Sequence, residues 1–164
     1  MSSQAFYTTL DTVYDRVKHL MTFEIRRPLI DEHERIHRLV TAVVNDTYGS
    51  IWPTAPIHVE EEAWGDGWVA AAADDLIGWM LTADCWLEDL WVPRSFRGQG
   101  VGTRLLAHAE REIAARGIAT AHLSVITSNA RAIIFYERRG WRKLRETPHE
   151  LVSFPRLEMT KTVG

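Results

Sequence analysis

The sequence is poor in cysteine, in long apolar runs and in repetition. Its single cysteine, Cys85, excludes an internal disulfide framework and a four-cysteine zinc site, and points to a reducing, cytoplasmic setting. No apolar run approaches the ~20 residues that cross a bilayer. The opening MSSQAFYTTLDTVYDR carries acids early and lacks the basic-then-apolar order of a secretory signal, so none is expected. No segment repeats or is low in complexity. Neither a membrane nor a nucleic-acid partner is expected.

What is present suits one folded domain. The chain has 164 residues, 46% of them hydrophobic and 25% charged, enough to bury a sizeable core. The net charge of −3 hides an asymmetry. Residues 1–90 hold 6 Lys+Arg against 16 Asp+Glu, and residues 91–164 hold 13 against 6. Such a chain can bind an anion with one half and a cation with the other. Solvated charges that mix in space are the alternative.

Apolar spacing predicts the elements. Phe6, Tyr7, Leu10, Val13, Tyr14, Val17 and Leu20 fall at helical period, giving an N-terminal helical extension over residues 1–20. Residues 21–164 form the main domain. Met21–Arg27 reads as a short strand, and Ile36, Leu39, Val40, Val43 and Val44 place a helix within 30–44. Residues 46–67 are broken by Pro53, Pro56, Gly65 and Gly67. Trp68–Ala72 and Leu76–Thr82 read as a hairpin around Asp74-Asp75, and Cys85–Val92 as a third strand stopped by Pro93. A helix over Val101–Arg116 ends at Gly117, a strand follows at Ala121–Thr127, and a helix over Asn129–Arg139 ends at Gly140. Trp141–Arg145 and Arg156–Lys161 are candidate final strands. The order implies an α/β fold, a mixed sheet of six to seven strands with helices on both faces.

Between the third strand and its helix lies Trp91-Val-Pro-Arg-Ser-Phe-Arg97-Gly98-Gln99-Gly100-Val101-Gly102-Thr103. Glycines there let backbone approach a ligand, and N–H groups at a helix start favour phosphate. The segment is not a Walker loop, because the lysine is missing. It is not the dinucleotide fingerprint either, because Thr103 stands where the third glycine belongs. What remains is Arg-x-x-Gly-x-Gly, at Arg97, Gly100 and Gly102. A second pattern follows the next strand: Asn129-x-x-Ala132-x-x-Phe135-Tyr136-x-x-x-Gly140-Trp141.

These two segments resemble the two signatures of the GNAT superfamily of N-acetyltransferases, and Trp86–Val92 with Pro93 resembles its fourth strand. The resemblance covers roughly residues 22–161, and its specific part is 86–141. It implies the GNAT fold and acetyl-CoA as cosubstrate. It also implies that the backbone of Leu90, Trp91 and Val92 holds the pantetheine arm between two splayed strands. Arg97, Gly98, Gln99, Gly100, Val101, Gly102 and Thr103 then cradle the pyrophosphate. Asn129 and Arg131 sit near the coenzyme, although Arg131 also reads as a solvated helix arginine. Tyr136 stands where the family's general acid sits, and Tyr136 also borders the coenzyme. A phenol is protonated at neutral pH and can donate to a departing thiolate. GNAT proteins are often dimers, so a homodimer is expected.

Leu87-Glu88-Asp89 resembles the spermidine/spermine N-acetyltransferase type, in which a glutamate contacts the acceptor amine. By strand alternation Glu88 shares a face with Trp86, Leu90 and Val92, and Asp89 points to the other. Glu88 reads as a base acting through water or as a surface carboxylate. Glu60-Glu61-Glu62, Asp66, Trp64 and Trp68 suit a cationic amine by charge and cation–π contact, or form a solvated loop. The expected reaction is acetyl transfer to a primary amine of a small cationic acceptor. Peptide, protein or aminoglycoside acetylation and a non-catalytic acyl-CoA module are the alternatives. His33-Glu34-Arg35-Ile36-His37 fits His-Glu-x-x-His of zinc proteases. That helix occupies the place of the first GNAT helix, so no metal is expected.

Overall fold

A computed structural model describes residues 21–52, 64–150 and 152–164. The residues 1–20 expected to form an extension lie outside it, as do Glu60, Glu61 and Glu62.

Seven strands form one mixed sheet: β1 (Glu24–Arg26), β2 (Trp68–Ala72), β3 (Asp75–Ala83), β4 (Trp86–Trp91), β5 (Thr120–Ile126), β6 (Arg142–Thr147) and β7 (Arg156–Thr162). Their spatial order is β1-β2-β3-β4-β5-β7-β6, and every neighbouring pair is antiparallel except β4 and β5. Among the described residues three α-helices cover it: α1 (His33–Tyr48), α2 (Val101–Ala115) and α3 (Ala130–Glu137). This is the mixed α/β sheet, with helices on both faces, that the signatures imply. No helix among the described residues is long and apolar enough to cross a membrane.

The helices divide the core into two. Val101, Leu105, Leu106, Ala109 and Ile113 of α2 pack with Ile133 and Tyr136 of α3 on Ile77, Leu87, Leu123 and Met159. Ile36, Val40, Val44 and Tyr48 of α1 pack with Val69, Trp79 and Ile126 on the opposite face. The spacing that predicts each helix therefore also names its buried stripe. α1 starts from a short 3-10 turn, Ile30–Glu32, in which Glu32 takes two hydrogen bonds from Arg26 and one from the Leu29 N–H, all at 2.8 Å.

One expectation fails in β4. Leu81 pairs with Asp89 but Thr82 pairs with Leu87, so Glu88 sits in a bulge. The extra residue reverses the alternation. Leu87 and Leu90 both join the α2 side, while Asp89 and Trp91 face the α1 side. Glu88 therefore does not share one regular face with Trp86, Leu90 and Val92.

Candidate active site

β4 and β5 pair only at Trp86↔His122 and Leu87↔Leu123. Beyond Leu87 the strands part. Leu90 and Trp91 keep their β3 partners, Met80 and Trp79, and have no strand among the described residues on the other side. A groove of about 870 Å³ opens there. Leu90, Trp91 and Val92 line one wall, and Asn129, Ala132, Phe135 and Tyr136 the other. Gly98, Gly100, Gly102 and Thr103 line its glycine-loop end.

The loop is built for close approach. Gly100 caps α2 at φ +86, a left-handed conformation that strains any side chain, and nothing lies within 4 Å of where a Cβ would stand. First-turn N–H groups have no intrahelical partner, and here no N-cap side chain accepts from them. Arg97 does not project freely. Its Nε donates to the Val92 carbonyl at 2.9 Å and its guanidinium lies 3.7 Å from Asp46. Burial and the charge of Arg131 both weaken its hold on a proton. Arg131, Arg138 and Arg139 also line the groove, and no Asp or Glu is among the described residues that do. Arg139 is fixed over the Phe135 ring at 3.8 Å and donates to Thr103 Oγ1 at 2.6 Å. Arg97 and Arg139 bring guanidinium groups to the start of α2, and Arg131 and Arg138 add positive charge along the groove, an arrangement that suits an anion.

Tyr136 lies where the strands part and is 9% exposed. Burial, then the nearby Tyr48 and Asp89, push its phenol well above the usual tyrosine range, so it stays protonated. Asn129 also lines the groove, but its polar atoms serve the fold. Its Oδ1 accepts from the Ala132 N–H at 3.1 Å, capping α3, and its Nδ2 donates to the Tyr48 hydroxyl oxygen at 2.9 Å. Glu88 is exposed and outside the groove lining, and partial desolvation and then the charge of Asp89 push its pKa up. Asp89 accepts from the indole N–H groups of Trp91 at 2.8 Å and Trp79 at 3.2 Å, and burial raises its pKa.

Two predicted loop residues stand apart. The Val101 side chain is buried in the α2 core, and Gln99 donates to the Ser95 carbonyl instead of lining the groove. Val43 and Thr47 of α1, with Ala132, Ile134, Phe135, Arg138 and Arg139, line it without having been predicted. The basic run beside Tyr136 signals Arg138 and Arg139. Nothing local signals the α1 residues, which arrive by packing.

The expected aromatic acceptor wall comes apart. Trp64 is buried on the α1 side against Trp79, whereas Trp68 packs on the α2 side. There Trp68 is covered by Arg27 at 4.1 Å and by His108. Among the described residues, no group of three His, Cys, Asp or Glu side chains could hold a metal ion. His37 of the His-Glu-x-x-His stretch meets the buried Trp64 edge-on.

Residues 37–141 match the acetyltransferase (GNAT) family. The chain belongs to the GNAT family. An acetyltransferase of Agrobacterium fabrum is 43% identical over 69 residues, 42% of this chain and 49% of that protein, so the match spans about half the length of that relative. The peptidyl-lysine N-acetyltransferase YjaB of Salmonella typhimurium is 27% identical over 118 residues, 71% of each chain. The PaiA N-acetyltransferase of Thermoplasma acidophilum, solved in complex with coenzyme A, superposes with a TM-score of 0.67 at 21% identity, covering 87% of this chain and 99% of that one. This last likeness is one of fold. Of these two relatives by sequence, one is named as an acetyltransferase and the other as a peptidyl-lysine N-acetyltransferase.

Proposed function

We propose that this GNAT protein moves the acetyl group of acetyl-CoA directly to a primary amine of a small cationic acceptor. The observation that carries the reading is the split between β4 and β5, with four arginines and a buried phenol lining the groove that it opens. The unpaired edge at Leu90–Val92 suits the pantetheine amides, and the loop from Arg97 to Thr103 suits the pyrophosphate. Arg131 and its neighbours suit the remaining phosphate charge.

The chemistry needs three events. The acceptor ammonium loses a proton, and Glu88 through water is the proposed route. The free amine attacks the thioester carbonyl carbon and forms the C–N bond. The C–S bond then breaks, and the thiolate takes the Tyr136 proton, which the attacking nitrogen's second proton replaces. Tyr136 suits this role because its raised pKa keeps a proton available. The acidic N-terminal half supports a cationic acceptor. The same reading has the protein in the cytoplasm as a homodimer, with residues 1–20 as an added helix on residues 21–164.

A second reading, transfer to a lysine side chain of a protein, is favoured by the similarity to YjaB. CoA release, measured against polyamines, amino acids, aminoglycosides and lysine peptides, separates the two. Fastest turnover with a small polyamine supports the first reading, and turnover with peptides alone supports the second. Acetyl-CoA binding with no turnover on any amine would reject both.

A further inference from the structure

β4 and β5 part after two residue pairs, so backbone pairing does not set the width of the split. A side-chain link crosses it. Asn129 Nδ2 donates to the Tyr48 hydroxyl oxygen at 2.9 Å, and both residues are at least partly buried. On the β4 side, the Tyr48 ring meets the Trp91 indole edge-on, with centroids 6.3 Å apart. Trp91 is itself tied to Asp89, whose second oxygen holds Trp79 of β3. On the β5 side, Asn129 caps α3, and Tyr136 stands two turns along that helix. A chain of contacts thus runs from β3 and β4, through Tyr48 and Asn129, to the helix that carries Tyr136.

We propose that Tyr48 is a positioning residue for acetyl transfer: its bond to Asn129 straps α3 to β4 across the split and fixes where the Tyr136 hydroxyl stands. The inference rests on the transfer reading above, in which that hydroxyl protonates the leaving thiolate. α3 is a short helix of eight residues, so freedom at its start is passed directly to Tyr136 near its end. Proton transfer tolerates little such freedom, because a misplacement of ~1 Å can cost about 10²-fold in rate. Burial raises the Tyr48 phenol as well, so the strap is a neutral hydrogen bond over the working pH range.

Three substitutions separate the strap from the helix cap. Tyr48→Phe removes the hydroxyl and leaves the ring on Trp91. Asn129→Ser keeps a good cap and is too short to reach Tyr48. Asn129→Asp keeps the cap and accepts the Tyr48 O–H, so the bond runs in reverse. For Tyr48→Phe, kcat should fall about tenfold or more while KM for acetyl-CoA stays within about twofold, and Asn129→Ser should lower kcat to a similar extent. Asn129→Asp should recover most of that loss. Hydrogen exchange, which needs no turnover, should quicken about fivefold over residues 130–137 in Tyr48→Phe, with the sheet unchanged. Parental exchange over those residues, or parental kcat in Tyr48→Phe, overturns the strap. If the parent protein transfers to no acceptor, the transfer reading falls and the exchange result alone decides whether the strap exists.

Discussion

Gly67 leaves room for the Trp79 indole: a Cβ on Gly67 would overlap three carbons of the Trp79 ring. Trp79 is fully buried and donates to Asp89, so this glycine underwrites the packing behind β4. Gly67→Ala should destabilise the fold by about 2 kcal/mol or more, because a close-packed interior cannot absorb an added methyl here. Urea unfolding measures it. An unchanged midpoint would show that Trp79 can move aside.

Gly100→Glu tests the glycine loop. The left-handed backbone strains any side chain, by about 1–2 kcal/mol, and the carboxylate adds charge where an anion is proposed to sit. The KM for acetyl-CoA should rise at least about tenfold with a native circular dichroism spectrum. Unchanged acetyl-CoA affinity in a folded variant would move the pyrophosphate elsewhere.

Tyr136→Phe removes only a hydroxyl, so the core around Trp141 and Phe135 should survive. General acid catalysis contributes about 10²–10⁴-fold, and kcat should fall near the lower end because water can substitute in part. Its raised pKa also fixes a sign. The parent should lose no activity through deprotonation of this phenol up to a pH of about 10, the ordinary tyrosine value. A parental kcat in Tyr136→Phe would leave the residue purely structural.

Glu32 supplies a test in acid. Its hydrogen bonds from Arg26 hold its carboxyl down at about 2, against an ordinary 4.5. A depressed carboxyl stabilises the fold fully above its unfolded value and loses that contribution as pH falls through the window from 4.5 to about 2. Glu32→Gln should lower stability by about 2 kcal/mol at neutral pH, and the difference from the parent should shrink in that acid window. A gap that stays constant from pH 7 to the lower end would assign the loss to packing.

Residues 1–20 carry an apolar stripe from Phe6 to Leu20 that is expected to find cover, since each large side chain buried is worth ~1.5–3 kcal/mol. Deleting them should leave acetyl-CoA binding intact and either lower the melting temperature or weaken dimerisation. Sedimentation and a thermal melt of both proteins decide it. The same mass and melting temperature would make the segment a loose appendage.

The sequence reveals elements better than it reveals registers. Helical spacing names the buried stripes of α1 and α2, and two glycine-bearing signatures mark the loop and α3, because these patterns are local. The bulge at Glu88 is not local. It depends on how β4 meets β3, and a one-residue shift reverses every face beyond it. Trp64 and Trp68 are separated for the same reason, since four residues of sequence do not tell which side of a sheet each indole enters. Asn129 belongs to a recognisable signature, yet its bond to Tyr48 joins residues 81 positions apart.

The two residue pairs between β4 and β5 also bear on how the chain acquires its structure. β1 through β4 form a meander whose later strands pair with their nearest neighbours, whereas β5 must find β7 across an intervening helix and strand. With so thin a seam, each half-sheet gathers most of its hydrogen bonds without the other. Exchange-protected amides should therefore sort into two cooperative units that meet at Trp86 and Leu87. A coenzyme seated in the split would lie across both units, and its binding should raise the protection of both together.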